Sequence, residues 1–436
     1  MLTSGNPFIG NNIALLSRTS AVTVPMFSCT AARLVLFILT VKLVCHDALL
    51  LPKKMPFPKL MADLRSDTIT KPSPAMRKAM FEAEVGDDVY EEDPTVRKLE
   101  DRMATLFKKD KSLFFPTGTM ANLAASMAWC SNRGSEVILG DQSHMHIYEQ
   151  ANLAQMGGIS PRSVANNVDG TLDLDLLAHA IRATNIHFPT TEMIALENTH
   201  NLCGGRVLSA AYMESVGSLA KRAGVPLHLD GARIWNAAAA SKTSVATLTT
   251  HVDSVSACLS KGLGAPAGSM LVGPATFIAK ARRIRKALGG GMRQVGVLAA
   301  AGLQALDDFD QGILDADHRK ACNIAQGISE IAGLRVDPVE TNIVLVHMDD
   351  PLVQATMFAA KLQEQGVKVL PRGAHSMRIV THRDFSEGDV PAVVAAFRSV
   401  ASSQWGASAS SGSSSAGVLP ALGERYNELL IVLILV

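Results

Sequence analysis

The chain has 436 residues, enough for two or three structural units around a sizeable core. Apolar residues make up 47% and charged residues 19%, which excludes a disordered, collagen-like or coiled-coil protein. With 41 basic against 40 acidic residues the formal charge is +1, so no basic excess is available for the phosphate contacts of a nucleic-acid partner.

Residues 1–61 carry Arg18, Arg33, Lys42, Lys53, Lys54 and Lys59 but a single acid, Asp47. Their apolar run, Leu34–Val41, is far below the ~18 residues of a transmembrane helix. Ser, Thr and Arg with scarce acids resemble a mitochondrial transit segment, while the short run resembles a signal h-region. A plain upstream extension is the third reading, because Met61-Ala-Asp-Leu is a natural start.

From Ala62 onward short apolar runs alternate with amphipathic stretches. Strands are predicted at Leu113–Phe115, Glu136–Leu139, Met193–Leu196, Val225–Leu229, Val252–Leu259 and Ser269–Val272. Helices are predicted at Thr95–Phe107 behind the capping Asp93-Pro94, and at Met120–Cys130, Leu208–Arg222, Pro274–Leu288 and Val295–Asp310. The alternation implies an α/β fold, a mostly parallel sheet covered by helices on both faces. After about residue 310 the rhythm changes to a smaller α+β domain. Its predicted elements are His318–Ile331, Thr341–His347, Pro351–Glu364, Val367–Leu370, Met377–Val380 and Gly388–Ser399. The expected organisation is an extension at 1–61, a large domain with an N-terminal arm at 62–310, a small domain at 311–400 and a tail at 401–436.

The tail begins with Ala401–Gly417, where 8 Ser, 4 Ala and 3 Gly among 17 residues give linker composition. It ends in the apolar Leu429–Val436, too short to span a bilayer, so no stable membrane insertion is expected. Cys29, Cys45, Cys130, Cys203, Cys258 and Cys322 lie far apart without a C-x-x-C pair. That argues against a zinc ribbon or disulfide scaffold and fits a reducing compartment. The cytoplasm is the expected location, with the mitochondrion open through the N-terminal segment.

Ligands of open α/β sheets sit beyond the carboxyl ends of strands, so the residues after each run are the ones to inspect. Phe115-Pro-Thr-Gly-Thr-Met120 joins a strand to a helix start and offers backbone N–H groups to a phosphate, though Thr and Gly are also ordinary caps. His228-Leu-Asp-Gly-Ala-Arg233 ends a strand with Asp230, either a helix cap or a carboxylate that keeps a heterocyclic nitrogen protonated. Lys261, in Ser260-Lys-Gly-Leu-Gly264, follows another apolar run and is either a snorkelling surface lysine or one whose desolvation favours the free amine needed for a Schiff base. An amine, an acid and a phosphate cradle are what pyridoxal phosphate requires.

With these residues in place, the stretch 62–400 resembles the low-specificity L-threonine aldolases, fold type I pyridoxal-phosphate enzymes. The resemblance rests on Asp63-Leu-Arg-Ser-Asp-Thr68, Val85-Gly-Asp-Asp-Val-Tyr90, Pro116-Thr-Gly-Thr119, Glu197-Asn-Thr-His200, Asp230-Gly-Ala-Arg233, Ser260-Lys-Gly-Leu-Gly264, Gly289-Gly-Gly-Met-Arg-Gln294 and Arg378-Ile-Val-Thr-His382. Asn201-Leu-Cys-Gly-Gly-Arg206 departs from the commonest bacterial pattern and looks like the eukaryotic branch.

The resemblance implies a seven-stranded, mostly parallel sheet and retro-aldol cleavage of threonine or allo-threonine to glycine and acetaldehyde. It implies pyridoxal phosphate linked to Lys261, with Asp230 at the pyridinium nitrogen and Arg233 near the ring hydroxyl. Gly118 and Thr119 would hold the phosphate, with Arg293 from a neighbouring subunit, and His144 would stack on the ring. Ser66 and Arg378 would hold the substrate carboxylate and His200 would lie near the β-hydroxyl. Tyr90 and Glu149 fall on active-site positions, and the assembly would be a homotetramer with shared sites. The base, whether His144, His200 or a histidine-held water, stays open at this point. The pair His144 and His146 suggests a metal, but alternate residues on a strand-to-loop run do not face one site, so none is expected in the catalytic centre. The competing readings are another fold type I enzyme, such as a β-eliminating lyase or an aminotransferase, and a non-catalytic homologue.

Overall fold

The structure is a computed structural model that describes residues 61–405; the transit, extension and most of the tail readings lie outside them. Strand β1 (Ala62–Asp63) opens the described chain. Next come β2 (Lys111–Phe115), β3 (Ser135–Gly140), β4 (Ser160–Val164), β5 (Thr190–Glu197), β6 (Leu227–Asp230), β7 (Ser254–Cys258) and β8 (Ser269–Gly273). These seven form one sheet in the order β2-β8-β7-β6-β5-β3-β4. All neighbours from β7 to β4 are parallel, and only β8 runs antiparallel to both of its neighbours.

The apolar runs give the central strands because strands covered on both faces bury nearly every side chain. β3, β6, β7 and β8 are buried at each position. β4 escapes sequence reading for the opposite reason: Ser160-Pro-Arg-Ser is polar, mostly exposed and lies at the sheet edge. The helices Pro74–Phe81, Leu174–Ala180 and Ile234–Ser241 are also additions to the predicted set, each of only 7 or 8 residues.

The helix Gly118–Trp129 packs Ala121, Ala124, Ala125 and Ala128 into the core, and these small side chains let its axis approach the sheet closely. The predicted strand-to-loop run at His144 is instead a helical turn, His144–Ile147, closed when Ser143 C=O accepts from the His146 and Ile147 amides. On a strand residues two apart share a face, whereas on this helical turn His144 and His146 point away from each other.

The small domain contains β9 (Leu334–Val336), β10 (Ile343–Met348), β11 (Val367–Lys368), β12 (Leu370–Pro371) and β13 (Ser376–Val380). Four of them form an antiparallel sheet, β12-β13-β10-β9. Two boundaries differ from the sequence reading. The helix Val390–Trp405 runs past residue 400, because Val393, Ala396, Phe397, Val400 and Ala401 continue its apolar stripe into the core. The arm at 62–64 belongs to the small domain, since β1 pairs with β11 and Leu64 lies in that core. The arm then crosses to the large domain, where Thr70 Oγ1 donates to Lys261 C=O at 3.3 Å. Among the described residues no helix is long and apolar enough to cross a membrane.

Candidate active site

Three parallel strands end side by side at one edge of the sheet. Glu197 at the end of β5 is in register with Asp230 at the end of β6, and Asp230 with Ser256 of β7. Lys261 follows β7, so the acid and the amine arise at neighbouring strand ends. The turn after the lysine is closed when the Gly264 amide donates to Lys261 C=O at 2.8 Å. Gly264 has φ +84°, and a Cβ there would meet the Arg383 side chain at 2.7 Å, so glycine is required. The Lys261 amine has no hydrogen bond or ion pair to any described residue.

Asp230 is 2% exposed, yet forms no ion pair among the described residues. It is also not the cap of the following helix, whose first flanking residue is Arg233. Its Oδ1 accepts from the Ala232 amide at 3.1 Å and its Oδ2 from Asn122 Nδ2 at 3.0 Å. Asn122 is a hub that sequence reading missed. Its Nδ2 also donates to Glu149 Oε1 at 2.9 Å, and its Oδ1 accepts from Ser256 Oγ at 2.5 Å. The signal was a single amide on an alanine-rich face. His228 is buried beside this hub, and burial pushes its pKa down to about 4, so it is neutral and no counter-ion for Asp230. A buried carboxylate without a cation is costly, and a protonated ring nitrogen would supply one.

His144 stands next to this network. Its backbone N–H donates to Glu197 Oε2 at 2.7 Å, and its Nδ1 contacts Glu149 Oε1 at 3.0 Å. That contact leaves Nε2 as the free ring nitrogen in the neutral tautomer. The donor atoms of His144, Glu149 and Asp230 lie within 4.8 Å of one another, a metal-like spacing that hydrogen bonds here explain: Asn122 bridges the two acids and Glu149 takes the histidine. Burial opposes protonation of His144, but the Glu149 hydrogen bond and nearby acids outweigh it and raise the pKa above the ordinary value. The sign sets a prediction. Glu149→Gln removes the charge that stabilises the imidazolium, so His144 should titrate at lower pH in an NMR titration. If His144 is the base, the acidic limb of kcat/KM should move the same way. An unmoved histidine would show that Glu149 does not govern it.

A second cluster faces the same edge. Arg233 donates through Nε and Nη2 to Asp67 at 2.8 and 2.7 Å, a buried fork. Burial would raise the Asp67 pKa, but the Arg233 charge and hydrogen bonds overcome this and hold it well below the usual range. Arg378, 9% exposed, reaches Asn201 Oδ1 with Nη1 at 2.7 Å and Arg65 C=O with Nη2 at 3.2 Å. Its Nε–H is buried without a partner. Burial and the neighbouring Arg233 push its pKa down to about 10, the sign of a cation short of an anion. Ser66, next in sequence to Arg65 and Asp67, caps the turn Asp67–Ile69. Arg233 therefore lies in the arginine cluster with Asp67 and Asn201. A cleft of about 900 Å³, lined by Tyr148, Leu202, Arg206, His347 and Arg372 among others, opens beside it. The Tyr148 and His144 rings are 5.6 Å apart.

The candidate phosphate cradle is the start of the helix Gly118–Trp129. Thr117 Oγ1 accepts from the Met120 amide, so helix geometry leaves the Gly118 and Thr119 amides to face an anion. A Cβ on Gly118 would lie 2.8 Å from Cys258 Sγ, so only glycine permits this close start. Three expected residues are not brought into the cluster within one chain. Tyr90 is 71% exposed. The Arg293 side chain is 56% exposed and pairs with Asp87 beside that tyrosine. Both lie on surface turns, joined when the Asp88 amide donates to Arg293 C=O. His200 is 1% exposed, with neither ring nitrogen hydrogen-bonded, and its side chain packs against Gly170.

A lysine and an uncompensated acid at neighbouring strand ends, with a helix start as cradle, define the class of fold type I pyridoxal-phosphate enzymes. The family model for beta-eliminating lyases matches residues 63–351. Low-specificity L-threonine aldolase 1 of Arabidopsis thaliana is 47% identical over 341 residues, covering 77% of this chain and 95% of that protein. The low specificity L-threonine aldolase of Escherichia coli K12 is 42% identical over 338 residues, covering 78% and 98%. A solved Leishmania major threonine aldolase matches in fold, with a TM-score of 0.67 at 19% identity over 78% of this chain and 99% of that one. The chain belongs to the beta-eliminating lyase family, in its low-specificity L-threonine aldolase branch.

Proposed function

We propose that the protein binds pyridoxal phosphate through Lys261 and cleaves L-threonine and L-allo-threonine to glycine and acetaldehyde. The observation that carries this reading is the pair at adjacent strand ends, the buried Asp230 without an ion pair among the described residues and the Lys261 amine after the neighbouring strand. When bound, the cofactor supplies an electron sink conjugated to the substrate nitrogen. The chain's residues do the rest. Asp230 would hold a proton at the ring nitrogen, the Gly118 and Thr119 amides would hold the phosphate, and Lys261 would supply the amine that anchors the group.

Arg378 binds the α-carboxylate with its free Nε–H, and Arg233, held by Asp67, adds a second positive charge. Orientation matters because it decides which bond at Cα is activated. His144, oriented by Glu149, presents Nε2 to take the β-hydroxyl proton as the Cα–Cβ bond breaks; such a group contributes roughly 10²–10⁴-fold. We assign this role to His144 because Glu149 fixes its tautomer beside Asp230, whereas the His200 side chain packs against Gly170. The exposed Tyr90 and Arg293 support a homotetramer in which a second copy completes the site.

Purified, cofactor-loaded protein should release glycine and acetaldehyde from threonine in preference to acting on serine, tyrosine or a keto-acid acceptor. Preference for any of the latter would assign a different enzyme of the same fold, and no turnover of any would favour a non-catalytic homologue. Arg378→Lys keeps the charge but loses the planar fork. Hydrogen bonds to charged groups are worth roughly 1.5–3 kcal/mol, so kcat/KM for threonine should fall at least ~10-fold while the yellow colour of the loaded protein persists. Unchanged kinetics would send the search for the carboxylate partner elsewhere.

A further inference from the structure

Asn201 is where the two buried arginines meet. Its Oδ1 accepts from Arg378 Nη1 at 2.7 Å and from Arg233 Nη1 at 3.4 Å. Its backbone N–H donates to Glu197 Oε1 at 2.9 Å, and the other oxygen of Glu197 accepts the His144 backbone N–H at 2.7 Å. One residue thus touches both the arginine cluster and the support of the histidine turn.

The two arginines differ in what balances them. Arg233 has the Asp67 carboxylate. Among the described residues Arg378 hydrogen-bonds only to neutral oxygens, the Asn201 amide and the Arg65 carbonyl, feels the Asp67 charge without bonding to it, and keeps one buried N–H free. A carboxylate at position 201 would neutralise Arg378 from within, since a charged acceptor binds a guanidinium roughly twice as strongly as a neutral one. An amide holds the fork in place and leaves its charge for a ligand.

We propose that Asn201 is a positioning residue, a neutral acceptor that fixes the Arg378 fork for the substrate carboxylate and ties it through Glu197 to His144. The inference rests on the function proposed above, because the anion is taken to be the α-carboxylate of an amino acid. It assigns the selectivity for carboxylate-bearing amines to the absence of charge at this position.

The test uses the loaded protein and two amines of similar size, glycine and methylamine, titrated by the absorbance change that each causes. Wild-type protein should bind glycine far more tightly. Asn201→Asp should weaken glycine at least tenfold and leave methylamine within about twofold, because only the carboxylate competes with the new charge. Asn201→Ala, which keeps the backbone bond to Glu197 but frees the guanidinium, should weaken glycine by a smaller factor, again without affecting methylamine. It also serves as the reading if the aspartate variant does not fold. Equal losses for both amines, or glycine binding unchanged in both variants, would overturn the inference and leave the proposed function intact. Wild-type protein that bound methylamine but showed no preference for glycine would overturn both.

Discussion

Lys261→Ala should yield a folded protein that has lost the yellow colour fixed by borohydride and essentially all threonine cleavage. The fold should survive because the contacts that shape this turn are made by the backbone of Lys261. Its carbonyl accepts from the Gly264 amide at 2.8 Å and from Thr70 Oγ1 at 3.3 Å, and alanine keeps both. The amine itself makes no hydrogen bond or ion pair to a described residue, and Asp67, whose carboxylate feels its charge, keeps the Arg233 fork. Turnover should drop by more than the ~10²–10⁴-fold attributed to one proton-transfer group, because the covalent attachment is lost as well. Absorption spectra with and without borohydride, followed by the mass of the reduced protein, check the prediction. A variant that still carried a borohydride-fixed group would remove Lys261 from its role.

Asp230→Asn should separate charge from shape. Asparagine keeps the size of the side chain and an oxygen for Asn122 Nδ2, now 3.0 Å from Asp230 Oδ2, while its NH2 replaces the Oδ1 that accepts from the Ala232 amide at 3.1 Å. The larger loss is the negative charge opposite a protonated ring nitrogen. Breaking a buried ion pair costs roughly 3–5 kcal/mol, which at ~1.4 kcal/mol per decade is at least ~10²-fold in cofactor affinity. Cofactor-free protein should respond far less. There a carboxylate 2% exposed and without an ion pair among the described residues is a burden, and relieving it offsets the lost acceptor of the Ala232 amide. Thermal melts of both forms, with and without pyridoxal phosphate, test the difference. An asparagine variant with wild-type affinity would reduce Asp230 to the partner of the Asn122 and Ala232 N–H groups.

The parts of this protein legible in one dimension are those whose causes are local. Central strands with both faces covered are short apolar runs, and the helices between them carry a stripe of period 3.6, so the α/β alternation follows from patterning alone. The positions of Asp230 and Lys261 follow too, because each directly succeeds such a run. β4 did not, since an edge strand with one wet face has no need of apolar residues. The arm at 62–64 was equally silent: nothing in its composition says that Ala62 pairs with Val367.

Tertiary structure alone decided the chemistry around those two residues. Asn122 reaches Asp230 across 108 positions, Asp67 reaches Arg233 across 166, and Asn201 reaches Arg378 across 177. No propensity or period encodes contacts at such separations, because they arise only when packing brings separate segments to one sheet edge. The same packing buried His200 against Gly170, and left Tyr90 and Arg293 on the surface. Sequence determined which residues could do the chemistry; burial and long-range hydrogen bonding decided which of them are placed to do it.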